Sequence, residues 1–177
     1  MRRRLLALAA ATGLLVSVAA AAPATASQGG RHLDDLRAAT ARYFDVGNAR
    51  QAGYGELRDA AGIACIDSPT GAMGIHYVNG ALVGDGDISL LTPEAMIYQP
   101  HGTDLDLVAV EYVVLADAWH QAHGKQPPKL LGQKFTLVPA GNRYGLPDFY
   151  ELHVWLWRAN PAGLFEDFNP DASCAGA

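Results

Sequence analysis

Residues 105–115 read Leu105-Asp106-Leu107-Val108-Ala109-Val110-Glu111-Tyr112-Val113-Val114-Leu115. The run is rich in Val and Leu and long enough to cross a whole sheet, so it predicts a central strand with both faces covered. Side chains alternate across a strand, which puts Glu111 on one face with Leu107, Ala109 and Val113. An ionised carboxylate among such neighbours costs several kcal/mol unless it is paired, hydrogen-bonded or bound to a metal. Glu111 is therefore the oddest residue in the chain.

Four further strands are predicted around this one. Gly74–Asn79 ends in Asn79-Gly80, a tight-turn signal. Glu94–Tyr98 lies between Pro93 and Pro100, Lys134–Val138 is short, and Tyr150–Trp157 is aromatic and β-branched. Ahead of them, Leu33, Leu36, Thr40, Tyr43 and Phe44 recur at spacings of three and four, which predicts one helix from Arg31 to about Tyr54 with Gly53 as its stop. Gly55–Ala72 reads as irregular, with turn signals at Ser68-Pro69 and Gly71. Ala116–His123 reads as one or two helical turns, broken by Gln126-Pro127-Pro128. The pattern is an α+β fold in a single domain: an N-terminal helix, then a mostly antiparallel sheet or a small β-barrel.

Parity brings further polar residues to attention. His76 shares a face with Gly74 and Val78, and His153 shares one with Glu151, Trp155 and Trp157. Two imidazoles and a carboxylate on one sheet face are a sufficient ligand set for a divalent metal. Two histidines and one glutamate suit zinc with an open position, and the same donors suit iron or copper. His76, Glu111 and His153 are therefore the candidate ligands, with Glu151 as a fourth ligand or as the partner that orients His153. Two other readings stand beside this one. In the first, the chain is a non-enzymatic small-molecule binding module whose pocket is lined by Tyr77, Tyr112, Trp155 and Trp157. In the second it is a structural protein in which the histidines bond to backbone and Glu111 pairs with Arg143 or Arg158. Whether the protein is an enzyme stays open. The loop Asn142–Tyr150, with Tyr144 in it, is placed to cover a pocket on the His153 face.

Weaker candidates are His120 and His123, with two residues between them in a polar helix without the glutamate of a metalloprotease helix. His101 lies in a turn that can overhang a site, and Asp85-Gly86-Asp87 reads as a turn rather than a calcium loop. No nucleophile elbow and no phosphate-binding Gly-x-x-x-x-Gly-Lys loop is present.

The chain has 177 residues, 50% of them hydrophobic and 18% charged, which excludes intrinsic disorder. Arg2-Arg3-Arg4, an apolar stretch from Leu5 to Ala22 and Ala24-Thr25-Ala26 have the layout of a signal peptide spanning residues 1–26. Cleavage behind Ala26 changes the formal charge from -5 by removing three arginines, leaving 10 basic and 18 acidic residues and a charge of -8. This acidic balance argues against nucleic acid as a partner. No later segment is apolar for long enough to span a bilayer, so the mature form is expected to be secreted, without a membrane anchor. In an exported protein the two cysteines, Cys65 and Cys174, are expected to form a disulfide that pins the C-terminal tail. The loop closed by that bridge is worth roughly 4–5 kcal/mol in the chain-entropy account.

Several segments carry a resemblance: Met73-Gly74-Ile75-His76-Tyr77-Val78-Asn79, Pro93-Glu94 before Tyr98, Val110-Glu111-Tyr112-Val113, Tyr150–Trp157, Asn160-Pro161 with Gly163, and Asn169-Pro170 before Cys174. Together they resemble a family of small exported bacterial proteins of uncharacterised function, over about residues 40–175. The resemblance implies one unit from Ala52-Gly53-Tyr54 through Cys174. It implies no activity, substrate or cofactor.

Overall fold

A computed structural model describes residues 28–177; the signal-peptide reading lies outside the described residues. The chain opens with α1 (Gln28–Thr40), a 3₁₀ turn (Ala41–Phe44) and α2 (Val46–Gln51). The single helix predicted from Arg31 is therefore broken in the middle. Two features break it. Asp45 starts a new helix by accepting a hydrogen bond from Gly47 N at 2.7 Å. The carbonyl of Tyr43 leaves the helical ladder and accepts instead from the buried hydroxyl of Tyr98 at 2.7 Å.

The strands are β1 (Gly55–Glu56), β2 (Cys65–Ser68), β3 (Gly71–Val78), β4 (Ala95–His101), β5 (Asp104–Leu115), β6 (Lys129–Leu130), β7 (Gln133–Lys134), β8 (Thr136–Val138) and β9 (Phe149–Val154). One turn of helix, α3 (Gly80–Val83), follows β3, and α4 (Ala116–His123) follows β5. Asn79-Gly80 does not make a hairpin. The Asn79 side chain caps α3 by accepting from Ala81 N at 3.1 Å. The stretch expected to be irregular, 55–72, contains β1 and β2, which both pair with β3. Lys134–Val138 splits around the buried Phe135, with β6 and β7 forming a separate hairpin and β8 joining the main sheet.

The main sheet has seven strands, all antiparallel, in the order β1-β3-β4-β5-β9-β8 with β2 also on β3. It is open, so the fold is α+β and the barrel alternative does not hold. One face packs on the N-terminal helices, joining Leu36, Tyr43 and Ala49 to Tyr77, Tyr98 and Tyr112. The other face is covered in two places. The C-terminal tail lies over Ala72, Ala95, Ile97 and Trp155. The Tyr144–Leu146 loop and α3 lie over Val113 and Phe149. The tail is tied down by the Cys65–Cys174 disulfide, by mutual backbone hydrogen bonds between Ala72 and Asn169, and by Trp155 Nε1 donating to Glu166 O at 2.6 Å.

Two departures from strict alternation matter for the site. Ile97 faces Ala109 while Tyr98 faces Leu107, so Val108 is an extra residue and β5 bulges there. Leu107, expected on the face of Glu111, is turned into the helix-side core. β9 also ends at Val154 rather than at Trp157. Beyond it, the backbone N–H groups of Trp157 and Arg158 both donate to Val108 O, and the Trp157 ring packs on Phe44 at 4.5 Å, away from His153.

Candidate metal centre

Register sets the site. Val78, Ala95, Glu111 and His153 form one continuous row across β3, β4, β5 and β9, and His76, Ile97 and Ala109 form the next. Glu111 and His153 are thus direct cross-strand partners. His76 is not on a neighbouring strand; β4 lies between β3 and β5. Strands lie about 4.8 Å apart, so His76 and Glu111 must reach toward each other over β4. The β4 residue in the Glu111 row is the fully buried Ala95, whose methyl group leaves that space free. His76 Nε2 and Glu111 Oε2 stand 3.6 Å apart. Two residues before His76, Gly74 has φ +111°, and a Cβ there would meet Tyr98 O at 2.6 Å, so glycine lets β3 close on β4.

The three side chains are nearly sealed from solvent, at 3%, 4% and 1% exposure for His76, Glu111 and His153. One ligating atom from each lies within 4.8 Å of the other two. A tetrahedral zinc holds its donors about 3.4 Å apart, so this set would have to draw closer to hold one. Neither ring nitrogen of His153 has a protein hydrogen-bond partner, nor does His76 Nδ1. Burial pushes His153 down to about 3, with His76 adding to the effect, and burial followed by the Arg143 charge pushes His76 down to about 4. Both rings are therefore neutral at physiological pH, with lone pairs available to a cation. Burial, and after it the charge of Glu151, holds the Glu111 carboxyl well above the usual carboxylate range.

Arg143 and Arg158 do not neutralise Glu111. Arg143 forms an ion pair with Asp59 at 2.8 Å, and Arg158 donates to Asp171 O. Glu151 corrects the expectation placed on it. It makes no hydrogen bond to the His153 ring; the register sets it opposite Val113, diagonal to Glu111, and burial raises it to about 7. What holds the His153 ring is Trp155, stacked on it at 5.1 Å and 28°. Tyr144 stands 6.3 Å from the His76 ring, with its hydroxyl pushed up by burial and then by Glu111. Tyr77 and Tyr112 do not belong to the site. Each is the immediate neighbour of a candidate ligand, so alternation sends both into the helix-side core.

A cavity of about 310 Å³ lies against the centre; His76, Glu111, Glu151 and Tyr144 stand among apolar residues in its lining. Sequence reasoning did not find Leu57 or Val83 in that lining, because neither stands out as chemistry-bearing. It also passed over Glu94 as a buried carboxyl, which accepts from Val113 N at 3.0 Å and is raised by burial to about 8. The signal for it was an acid directly before an apolar strand. The other histidines do not converge. His120 bonds Tyr150 at 3.1 Å, and His123 bonds Gly86 O at 3.1 Å and stacks on Trp119. His101 is exposed beside Asp106 at the β4–β5 hairpin end and does not overhang the centre. Asp85 accepts from Asp87 N at 2.9 Å, an Asx turn.

Compared with protein-family models, curated proteins and solved structures, the chain matches none.

Proposed function

We propose that this protein binds one divalent transition-metal ion between His76, Glu111 and His153. The observation that carries the reading is the buried approach of three ligating atoms from three strands, with His153 left without any protein hydrogen bond. Buried polar groups are ordinarily partnered, and a cation supplies the missing partner. Two neutral imidazoles and one carboxylate favour zinc, iron or copper over magnesium or calcium, which prefer all-oxygen shells. Three protein ligands leave a further coordination position, and His76 and Glu111 both line the adjacent cavity. Burial favours the protonated form of the Glu111 carboxyl, so an ion that takes its carboxylate displaces a proton on binding.

The test is elemental analysis and zinc titration of protein purified without an affinity tag. One equivalent of metal is expected, with a zinc-dependent gain of about 2.7 kcal/mol in stability at 100 times the dissociation constant. Glu111→Gln and His153→Ala each remove that gain. Calorimetry in buffers of different ionisation enthalpy should register proton release. No stoichiometric metal, together with no stabilisation by zinc, copper, iron or manganese, overturns the reading.

We infer in addition that the chain is exported and cleaved behind Ala26. Supporting this are the Cys65–Cys174 disulfide and the lack, among the described residues, of a helix long and apolar enough to cross a membrane. N-terminal sequencing of exported protein is expected to begin near Ser27. Two free thiols under non-reducing conditions would count against the exported, oxidised form.

A further inference from the structure

The cavity beside the centre has a size, a wall and a single polar end, and together these define a ligand. Its volume is about 310 Å³. An apolar cavity of about 150 Å³ accommodates one benzene, so the space here matches a body of roughly two rings. Its walls include Leu57, Val83, Val113, Leu115, Leu146 and Phe149, which offer no side-chain partner to a second polar group. These walls are firmly placed: Leu57 N donates to His76 O at 2.8 Å, and the loop of Leu146 is held by its N–H donating to Asn142 Oδ1 and by Arg143 on Asp59.

The polar end is made by His76, Glu111, Glu151 and Tyr144. Its chemistry discriminates between head groups. A carboxylate head would set its oxygens against those of Glu111 and Glu151, which both line the cavity, whereas a hydroxyl has a hydrogen to offer them. Arg143, adjacent to Tyr144, is held to Asp59 by two hydrogen bonds and makes none to the cavity's polar end. A hydroxyl head fits the geometry: its hydrogen goes to a carboxyl oxygen of Glu151, and its oxygen lone pair goes to an ion held by His76 and Glu111.

We propose that this cavity binds a small, uncharged, aromatic or fused-ring alcohol or phenol of about two rings, hydroxyl inward against Glu151 and the ion. The contact of the oxygen with the ion rests on the metal-binding reading above; the fit of the body to the cavity does not.

The experiment compares three probes of one shape on zinc-loaded protein by calorimetry: 2-naphthol, naphthalene and 2-naphthoate. A parallel zinc titration without probes reports on the metal reading separately. The expected result is 2-naphthol binding at least tenfold tighter than either of the others. Leu146→Trp and Val83→Trp fill the cavity from two separate chain segments; each should weaken 2-naphthol at least tenfold while leaving zinc affinity unchanged. Equal binding of naphthalene, tighter binding of naphthoate, or indifference of 2-naphthol to both fillers overturns the proposal. Zinc binding without 2-naphthol binding overturns it too and leaves the metal reading standing. Absence of zinc binding sinks the metal reading and takes the hydroxyl-to-ion contact with it.

Discussion

The two faces of the sheet are built from the same strands, but the buried phenols of one and the buried imidazoles of the other are partnered differently. On the helix side the phenols are partnered: Tyr54 donates to Pro93 O, Tyr98 to Tyr43 O and Tyr112 to Leu90 O, while Tyr77 accepts from Arg50. On the other side the His153 ring has two unpartnered nitrogens and His76 has one. Among the described residues the remaining buried unpartnered side-chain atoms are Arg158 Nε and Trp157 Nε1, the latter on a ring packed against Phe44 at the rim of the helix-side core. A satisfied buried hydroxyl fixes how elements pack. A buried imidazole with no partner is a cost of about 1–3 kcal/mol that packing alone does not repay. The difference marks one face as structural and the other as the place where something binds.

The largest expected effect tests the structural side. Tyr98 is fully buried, stacks edge-on against Tyr77 at 5.1 Å and anchors the broken helix through the Tyr43 carbonyl. Tyr98→Ala removes the ring and leaves that carbonyl unpaired, and should cost about 3–5 kcal/mol in denaturant unfolding. Zinc affinity should survive wherever the fold does. A loss below 1 kcal/mol would mean that this face is not the stabilising one.

How far the sequence revealed this arrangement follows from the same alternation. The apolar run 105–115 and the parity of His76, Glu111 and His153 were legible because period-two patterning is local, and the register across β5 and β9 then places Glu111 against His153. Local patterning fails wherever a distant partner decides. The bulge at Val108 turns Leu107 to the other face, and the early end of β9 carries Trp157 away. The break at Asp45 depends on Tyr98, 53 positions further on. That Glu151 lies diagonal to Glu111 and makes no hydrogen bond to the His153 ring follows from the register between strands, invisible to parity on β9 alone.

A second prediction sharpens the contrast with a carboxyl that does have a partner. Glu94 is 2% exposed and accepts from Val113 N, yet burial holds it at about 8 against an ordinary 4.5. A raised carboxyl favours the fold while protonated: its contribution is complete below about pH 4.5 and is lost as pH rises toward 8. Glu94→Gln keeps an oxygen for Val113 and has no charge to bury. In metal-free protein the variant should match the wild type near pH 4.5 and exceed it above pH 8, by on the order of a few kcal/mol. Identical pH profiles for the two proteins would show that the carboxyl is solvated in solution.

The smallest expected effect is also the most discriminating, because its sign differs between the two faces. His153→Leu replaces an imbalanced ring by an apolar side chain of similar bulk, surrounded by Trp155 and the strand interior. Exchanging an unsatisfied buried polar group for an apolar one is close to neutral or stabilising, whereas the same exchange at a satisfied group is destabilising. Metal-free His153→Leu should therefore unfold within about 1 kcal/mol of the metal-free wild type, or somewhat above it. With zinc present the order reverses, since the wild type gains binding energy that the variant has lost. Paired thermal melts with zinc and with a chelator measure both halves. If the variant is destabilised by more than 2 kcal/mol in chelator, His153 is a partnered core residue, and the two faces do not differ in kind.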